Sequence, residues 1–202
     1  FSAKLMAAYL GFAFVDAADW VRFKYDGSVD QAATYDLLKE LDKGFGMVIP
    51  GFYGRMPDGK IRTFSRGGSD ITGALAAAAL DADVYENWTD VSGILMADPR
   101  IVDNPATIPE VTYDELRELS YSGAQVLHEG TIFPVREKNI PLNIRNTNAP
   151  GDAGTMIKES FEGDSDPNRF LTGITGKKDF SIIALTKRGM SSQVGVLRKV
   201  LT

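Results

Sequence analysis

The sequence predicts an α/β fold, a sheet with helices on both faces. Short apolar runs bounded by Gly, Pro, Asp and Asn alternate along the chain with stretches whose apolar residues recur at helical spacing. Alternation of single strands with single helices is the pattern of layered α/β domains. A third observation fits: the tract ITGALAAAAL is a helix of small side chains, able to lie close on a sheet.

The elements follow in order. FSAKLMAAYL reads as an amphipathic helix with Leu5, Met6, Tyr9 and Leu10 on its apolar stripe and Ser2 as its cap. It has neither an initiator methionine nor a signal layout, so the chain is read as a piece of a longer protein. FAFVDA predicts a short buried strand. DGSVDQAATYDLLKELDKG predicts a turn and a helix with Ala33, Leu37, Leu38 and Leu41 on one face, stopping at Gly44. MVIPGFYG predicts a strand entering a glycine turn, and MPDGKIRTF a hairpin on its Asp-Gly turn. A helix is expected over residues 70–80 and a strand in ADVYENWT. Residues 90–111 form a Pro- and Gly-punctuated loop long enough to suggest function. Thr112 and Glu115 form a capping box for a helix in TYDELRELSYSGAQVLH. GTIFPVREKN predicts a short helix interrupted near Pro134, and IPLNIRNT and GTMIK two more strands. Apolar periodicity then lapses, so residues 162–178 read as a linker. A strand, a glycine turn and a helix restart over 179–202.

Composition excludes several classes. With 202 residues, 44% apolar and 24% charged, the chain can bury a sizeable core. A net charge of −5 argues against nucleic-acid and anionic-membrane partners. The absence of cysteine rules out disulfides and thiolate metal sites and makes the reducing cytoplasm the default compartment. His128 is the one histidine; it reads as structural, and alone it cannot build a zinc site.

The chemistry concentrates in SRGGSD, WTD and ADPR. A glycine pair after a strand lets backbone approach a ligand, and a helix start offers unpaired N–H groups. Arg66 can grip a carboxylate or phosphate bidentately. Asp70 can cap the helix or hold a cation; an ordinary glycine turn with Asp70 as N-cap is the alternative. Thr89 and Asp90 fall at the C-terminal end of a predicted strand, where open α/β sheets bind ligands. Asp98-Pro99-Arg100 follows in the long loop, and VREKN reads as a solvated charge run. Neither the P-loop pattern nor the dinucleotide glycine fingerprint is present.

The stretch FSRGGSDITGALAAAALDADVYENWTDVSGILMADPRIV resembles the core signature of the aspartate kinases, within the amino-acid kinase family. FSAKLMAAYL, VIPGFYG, YDELRELSYSGAQVLHEGTIFPVREKNIPLNIRNT and GTMI fall in that family's order, and FSIIALTKRGMSSQVGVLRKVL resembles the opening of an ACT regulatory domain. The resemblance implies a three-layer α/β/α sandwich over 1–161 with its N-terminal part missing, a linker over 162–178 and the first βα unit of an ACT domain over 179–202. It implies transfer of phosphate from ATP to the β-carboxylate of L-aspartate, giving 4-phospho-L-aspartate, the first step toward lysine, threonine and methionine. Mg²⁺ would bridge the phosphates.

Residue roles follow from the same resemblance. Arg66 would grip the substrate α-carboxylate, Gly67, Gly68 and Ser69 would form a backbone cradle, and Asp70 would align a catalytic lysine and the substrate amine. Thr89 and Asp90 would bind nucleotide, with Arg100 on its phosphates and Leu95, Gln125 and Val126 nearby. The chain departs from the pattern at Leu95, where many members carry tyrosine, at Gln125, where many carry lysine, and at Glu129 in place of proline. Leucine cannot stack on a base, and glutamine can hydrogen-bond a phosphate without neutralising it. The family's catalytic lysine and a substrate glutamate lie upstream of the matching segment, so the isolated chain is expected to be inactive. The ACT-like tail implies feedback by lysine and/or threonine and a homodimer or higher homo-oligomer. Two rivals remain open: another amino-acid kinase, such as a glutamate 5-kinase, acetylglutamate kinase or uridylate kinase, and a non-catalytic amino-acid-sensing subunit.

Overall fold

A computed structural model of the chain describes residues 1–121, 129–161 and 171–176. Most of the expected linker and all of the expected ACT unit lie outside them. The elements run α1 (Ser2–Leu10), β1 (Ala13–Phe14), α2 (Ala17–Trp20), α3 (Gln31–Leu41), β2 (Met47–Val48), β3 (Tyr53–Arg55) and β4 (Ile61–Thr63). After these come α4 (Gly68–Ala79), β5 (Tyr85–Thr89), β6 (Glu110–Thr112), α5 (Tyr113–Tyr121), α6 (Glu129–Glu137), β7 (Leu142–Asn146) and β8 (Thr155–Lys158). The α/β alternation is as expected, but the described strands form three hydrogen-bonded groups rather than one sheet. β1 pairs parallel with β2, and β3 and β4 make the antiparallel hairpin. The third group has order β5-β7-β8-β6, with β5 parallel to β7, β6 parallel to β8, and the central pair antiparallel.

Several local expectations are corrected. β1 stops after two residues because Asp16 caps a helix, its carboxylate accepting from the Ala18 amide at 3.0 Å. That four-residue helix, α2, is too short to show periodicity. β6, also unforeseen, lies inside the stretch read as loop and start of helix. Ser2 does not cap α1; the cap position falls on Phe1, with no side-chain bond. α3 ends at Leu41, before Gly44. α6 carries Pro134 in its second turn without breaking there.

The charge run after Pro134 is paired rather than merely solvated. The Arg136 guanidinium reaches Asp114 at 2.9 Å and Glu159 at 3.3 Å, and the Lys138 ammonium reaches Asp81 at 2.7 Å. These ties join α6 to its neighbours at the surface.

The capping box is observed. The Thr112 amide donates to the Glu115 carboxylate at 2.8 Å, and the Glu115 amide donates to Thr112 Oγ1 at 3.2 Å. Thr172, from the segment 171–176, donates its hydroxyl to the same carboxylate. Thr112→Ala is expected to cost about 1 kcal/mol, read as a lower denaturant midpoint at unchanged slope.

The core is built in two parts, with α4 between them. Ala74, Ala77 and Ala78 face one cluster, with Leu142, Ile144 and Ile157 of the four-stranded sheet and Leu116 and Val135 of the helices beside it. Leu75 and Ala79 face the other, with Trp20, Val21, Phe23, Leu38 and Phe64. The small side chains of α4 permit this double packing, as their composition predicts. By contrast, the apolar stripe of α1 enters neither cluster: Leu5, Met6, Tyr9 and Leu10 are exposed, Tyr9 by 86%.

Candidate active site at the ends of α4 and β5

The SRGGSD segment crosses from β4 into α4. Gly67, in the left-handed conformation at φ 56°, occupies the N-cap position, so α4 begins at Gly68 and Asp70 is not its cap. The expected start at residue 70 is corrected by two positions. Gly68 is required by close approach: a β-carbon there would lie 2.6 Å from the Phe52 ring and 2.8 Å from Phe64 Cβ. Thr72 locks that approach. Its hydroxyl donates to the Gly68 carbonyl at 2.6 Å and accepts from the Phe52 amide at 3.1 Å.

On this start of α4, Arg66 and Ser69 are exposed, and Arg66 makes no hydrogen bond or ion pair among the described residues. Asp70 is half-buried in the first turn, where a negative side chain complements the positive end of the helix. Two β5 residues that sequence reasoning missed hold it. Asn87 Nδ2 donates to Asp70 Oδ1 at 3.2 Å, and the Tyr85 hydroxyl donates to the Asp70 carbonyl at 3.2 Å. Burial first, and the Asp70 charge second, push the Tyr85 hydroxyl up to about 12, so it stays a protonated donor at neutral pH. No local signal marks these contacts, which span 17 and 15 residues.

Two residues beyond Asn87, the ends of β5 and β7 gather polar groups. The Thr89 carbonyl accepts from the Thr147 amide at 2.8 Å and from its hydroxyl at 2.9 Å. Thr89 Oγ1 donates to Asp90 at 3.2 Å. Ser92 Oγ donates to Asp152 at 2.5 Å and accepts from Asn146 Nδ2 at 2.9 Å. Thr89 and Asp90 thus lie where the sequence places them, joined by Ser92, Asn146, Thr147 and Asp152, which it did not single out.

The long loop is braced at its base. Buried Thr155 accepts from the Ile94 amide at 2.8 Å and donates to the Ile108 carbonyl at 2.6 Å. A bridge pairs Leu95 with Thr107, and the Met96 amide donates to the Ala106 carbonyl at 2.8 Å. The Met96 carbonyl in turn accepts from the Ile174 amide at 2.7 Å, so the segment 171–176 docks on the same base. Leu95 is part of this brace and partly exposed. Beyond it, Arg100 is 87% exposed, and its guanidinium meets Asp98 through Nε at 2.9 Å and Nη2 at 2.6 Å. Gln125, Val126 and His128 lie outside the described residues. Thr155→Val keeps shape but removes both bonds, leaving an amide and a carbonyl unpaired; a loss of about 2–3 kcal/mol is expected in chemical denaturation.

Among the described residues no cluster of three or more His, Cys, Asp or Glu side chains is arranged to hold a metal ion, and no helix is long and apolar enough to cross a membrane.

Known proteins place the chain. The profile of the Amino acid kinase family matches residues 1–146. Aspartokinase 3 of Bacillus subtilis is 37% identical over 209 residues, which cover 99% of this chain and 45% of that protein. The crystal structure of Clostridium acetobutylicum aspartate kinase superposes with a TM-score of 0.88 at 51% identity, over 99% of this chain and 46% of that one. E. coli aspartokinase III matches in two states. In its complex with aspartate and ADP the TM-score is 0.66 at 34% identity, over 74% of this chain and 35% of that one. In its complex with lysine and aspartate the TM-score is 0.70 at 31% identity, over 80% and 39%. The chain therefore spans less than half the length of these relatives. With a family match over most of its residues and this likeness in structure, the chain belongs to the amino acid kinase family.

Proposed function

We propose that this chain works as part of an aspartokinase. The observation that carries the reading is the arrangement on β5: Asn87 holds Asp70 at the exposed SRGGS turn, and Thr89 and Asp90 lie two and three residues farther along. An amino-acid site and a nucleotide site can then share one rigid support. Its likeness to aspartokinases, one of them complexed with aspartate and ADP, supports the same reading.

In this proposal Arg66, whose guanidinium has no protein partner among the described residues, binds the α-carboxylate of L-aspartate. The backbone of Gly67, Gly68 and Ser69 lies beside it, and Asp70 receives the substrate ammonium. Thr89 and Asp90 bind ATP, with Leu95, Gln125 and Val126 close to the nucleotide. Arg100 exchanges its pairing with Asp98 for the phosphates, a swap between two bidentate acceptors. An oxygen of the aspartate β-carboxylate attacks the γ-phosphorus; a new P–O bond forms, and the bond to the β-phosphate oxygen breaks with its electron pair leaving on ADP. Protein groups act here chiefly by positioning and by neutralising charge. Mg²⁺ would enter with the nucleotide and neutralise charge on its phosphates, since no cluster of His, Cys, Asp or Glu among the described residues is arranged to hold it. Residues 179–202 would begin an ACT domain after a linker over 162–178, with lysine and/or threonine as the feedback ligand and a homo-oligomer as the working form.

The test measures ADP release and hydroxylamine-trapped acyl phosphate on the protein expressed at the full length of its coding sequence. Aspartate-dependent release of both is the expected result, with no turnover on glutamate, acetylglutamate or UMP and none from the 202 residues alone. Binding of lysine with no ATP turnover would overturn the reading in favour of a sensing subunit.

A further inference from the structure

We infer that Asn87 is a positioning residue for Asp70, fixing one carboxylate oxygen so that the other is presented to the amino-acid substrate. This rests on the reading of the SRGGSD turn as the aspartate site. Among the described residues, the side chain of Asp70 accepts one hydrogen bond, from Asn87 Nδ2 to Oδ1 at 3.2 Å, and Oδ2 accepts none. A half-buried carboxylate on the first turn of a helix otherwise has several rotamers open to it. The Asn87 amide does not share that freedom. Its backbone lies within β5, in register with Ile144 of β7, and Nδ2 is also 3.4 Å from the Tyr85 hydroxyl. Tyr85 closes the triangle by donating to the Asp70 carbonyl at 3.2 Å. Both the backbone and the side chain of Asp70 are therefore referred to the same strand.

The chemistry of the pair suits this task. A neutral amide donates to the carboxylate without titrating, so its grip does not change across the physiological pH range, and a bond to a charged acceptor is among the stronger kinds. Two residues along a strand span about 6.5 Å, which sets the spacing between the anchor of Asp70 and Thr89. A misplacement of about 1 Å at a reacting centre can cost on the order of a hundredfold in rate. Asn87 thus ties the geometry of the amino-acid side to that of the nucleotide side.

The experiment compares the full-length wild-type protein with Asn87→Leu, which keeps the branch at Cγ and removes the donor. The inference expects kcat/KM for aspartate to fall about tenfold, the size of one charge-assisted bond, while KM for ATP stays within about twofold. Asn87→Gln, which retains an amide, is expected to recover part of the loss. Aspartate kinetics unchanged in Asn87→Leu would overturn the inference and leave the aspartokinase reading standing. Wild type without aspartate-dependent turnover would overturn both. Should Asn87→Leu fail to fold, Tyr85→Phe removes the hydroxyl that braces the same pair. A severalfold loss on aspartate with ATP affinity kept supports the inference, and unchanged aspartate kinetics sink it.

Discussion

Gly154→Ala is expected to destabilise the chain by about 3 kcal/mol or more, because the added methyl would make the closest approach of any β-carbon placed on a described glycine. Gly154 sits at φ 73°, and a β-carbon there would fall 1.9 Å from the Ile144 carbonyl oxygen and 3.0 Å from its carbon. The left-handed conformation alone costs a non-glycine residue about 1–2 kcal/mol. The steric overlap adds more, because the clashing atom is backbone and cannot rotate away. Relief requires β8 to move from β7 beside the pair Ile144–Thr155. That shift also pulls Thr155 from its bonds to Ile94 and Ile108, which brace the loop carrying Arg100. For a chain of this size each kcal/mol is worth about 2–4 °C, so a fall in Tm of roughly 6–12 °C is expected in a thermal melt followed by circular dichroism. Gly151→Ala is the control: a β-carbon there meets nothing within 4 Å, and its melt should match wild type. Equal behaviour of the two variants would refute the account of Gly154.

The contrast between these two glycines shows what the sequence could and could not say. Both stand in one loop, and a left-handed backbone with a strand lying across it sets one apart from the other. Signals that act within a few residues were legible: the capping box at Thr112 and Glu115, the Asp-Gly hairpin, the small side chains of α4. Asp70 was visible as a residue of interest, yet the cap position, one of its two readings, belongs to Gly67, and the helix starts at Gly68 rather than at residue 70. The partners that define its surroundings, Asn87 and Tyr85, were not visible, because ordinary strand residues acquire meaning only when the strand docks. The same holds for Thr155, whose two partners lie 61 and 47 residues away. The stripe of α1 was read correctly as periodicity, but spacing does not say what covers a face, and here Leu5, Met6, Tyr9 and Leu10 remain exposed.

Arg66→Ala should have the largest effect on turnover. In the proposed reaction this guanidinium supplies two parallel donors to the α-carboxylate, and charged hydrogen bonds are worth about 1.5–3 kcal/mol each. Losing both predicts a fall of roughly 10²–10⁴-fold in kcat/KM for aspartate, with KM for ATP held within about twofold. Arg66→Lys keeps the charge and loses the fork, so it should recover only part of the loss. Stability should hold, because Arg66 is exposed and makes no bond or ion pair among the described residues. Steady-state kinetics on the full-length protein, with each substrate varied at saturating levels of the other, reads all three expectations. A loss falling equally on ATP would move Arg66 out of the amino-acid site.

The position of α4 between two cores has a consequence for cooperativity. A helix buried on one side only can peel away while the remainder stays folded. α4 contributes Ala74, Ala77 and Ala78 to one cluster and Leu75 and Ala79 to the other, so releasing it opens both at once. Neither cluster then has a cheap route to melting alone, and the amides of α4 beyond its first turn should exchange with deuterium only through the global opening of the described fold. Asp70 rides on the first turn of that helix. A side chain that must hold still is thereby mounted on a helix that both cores hold.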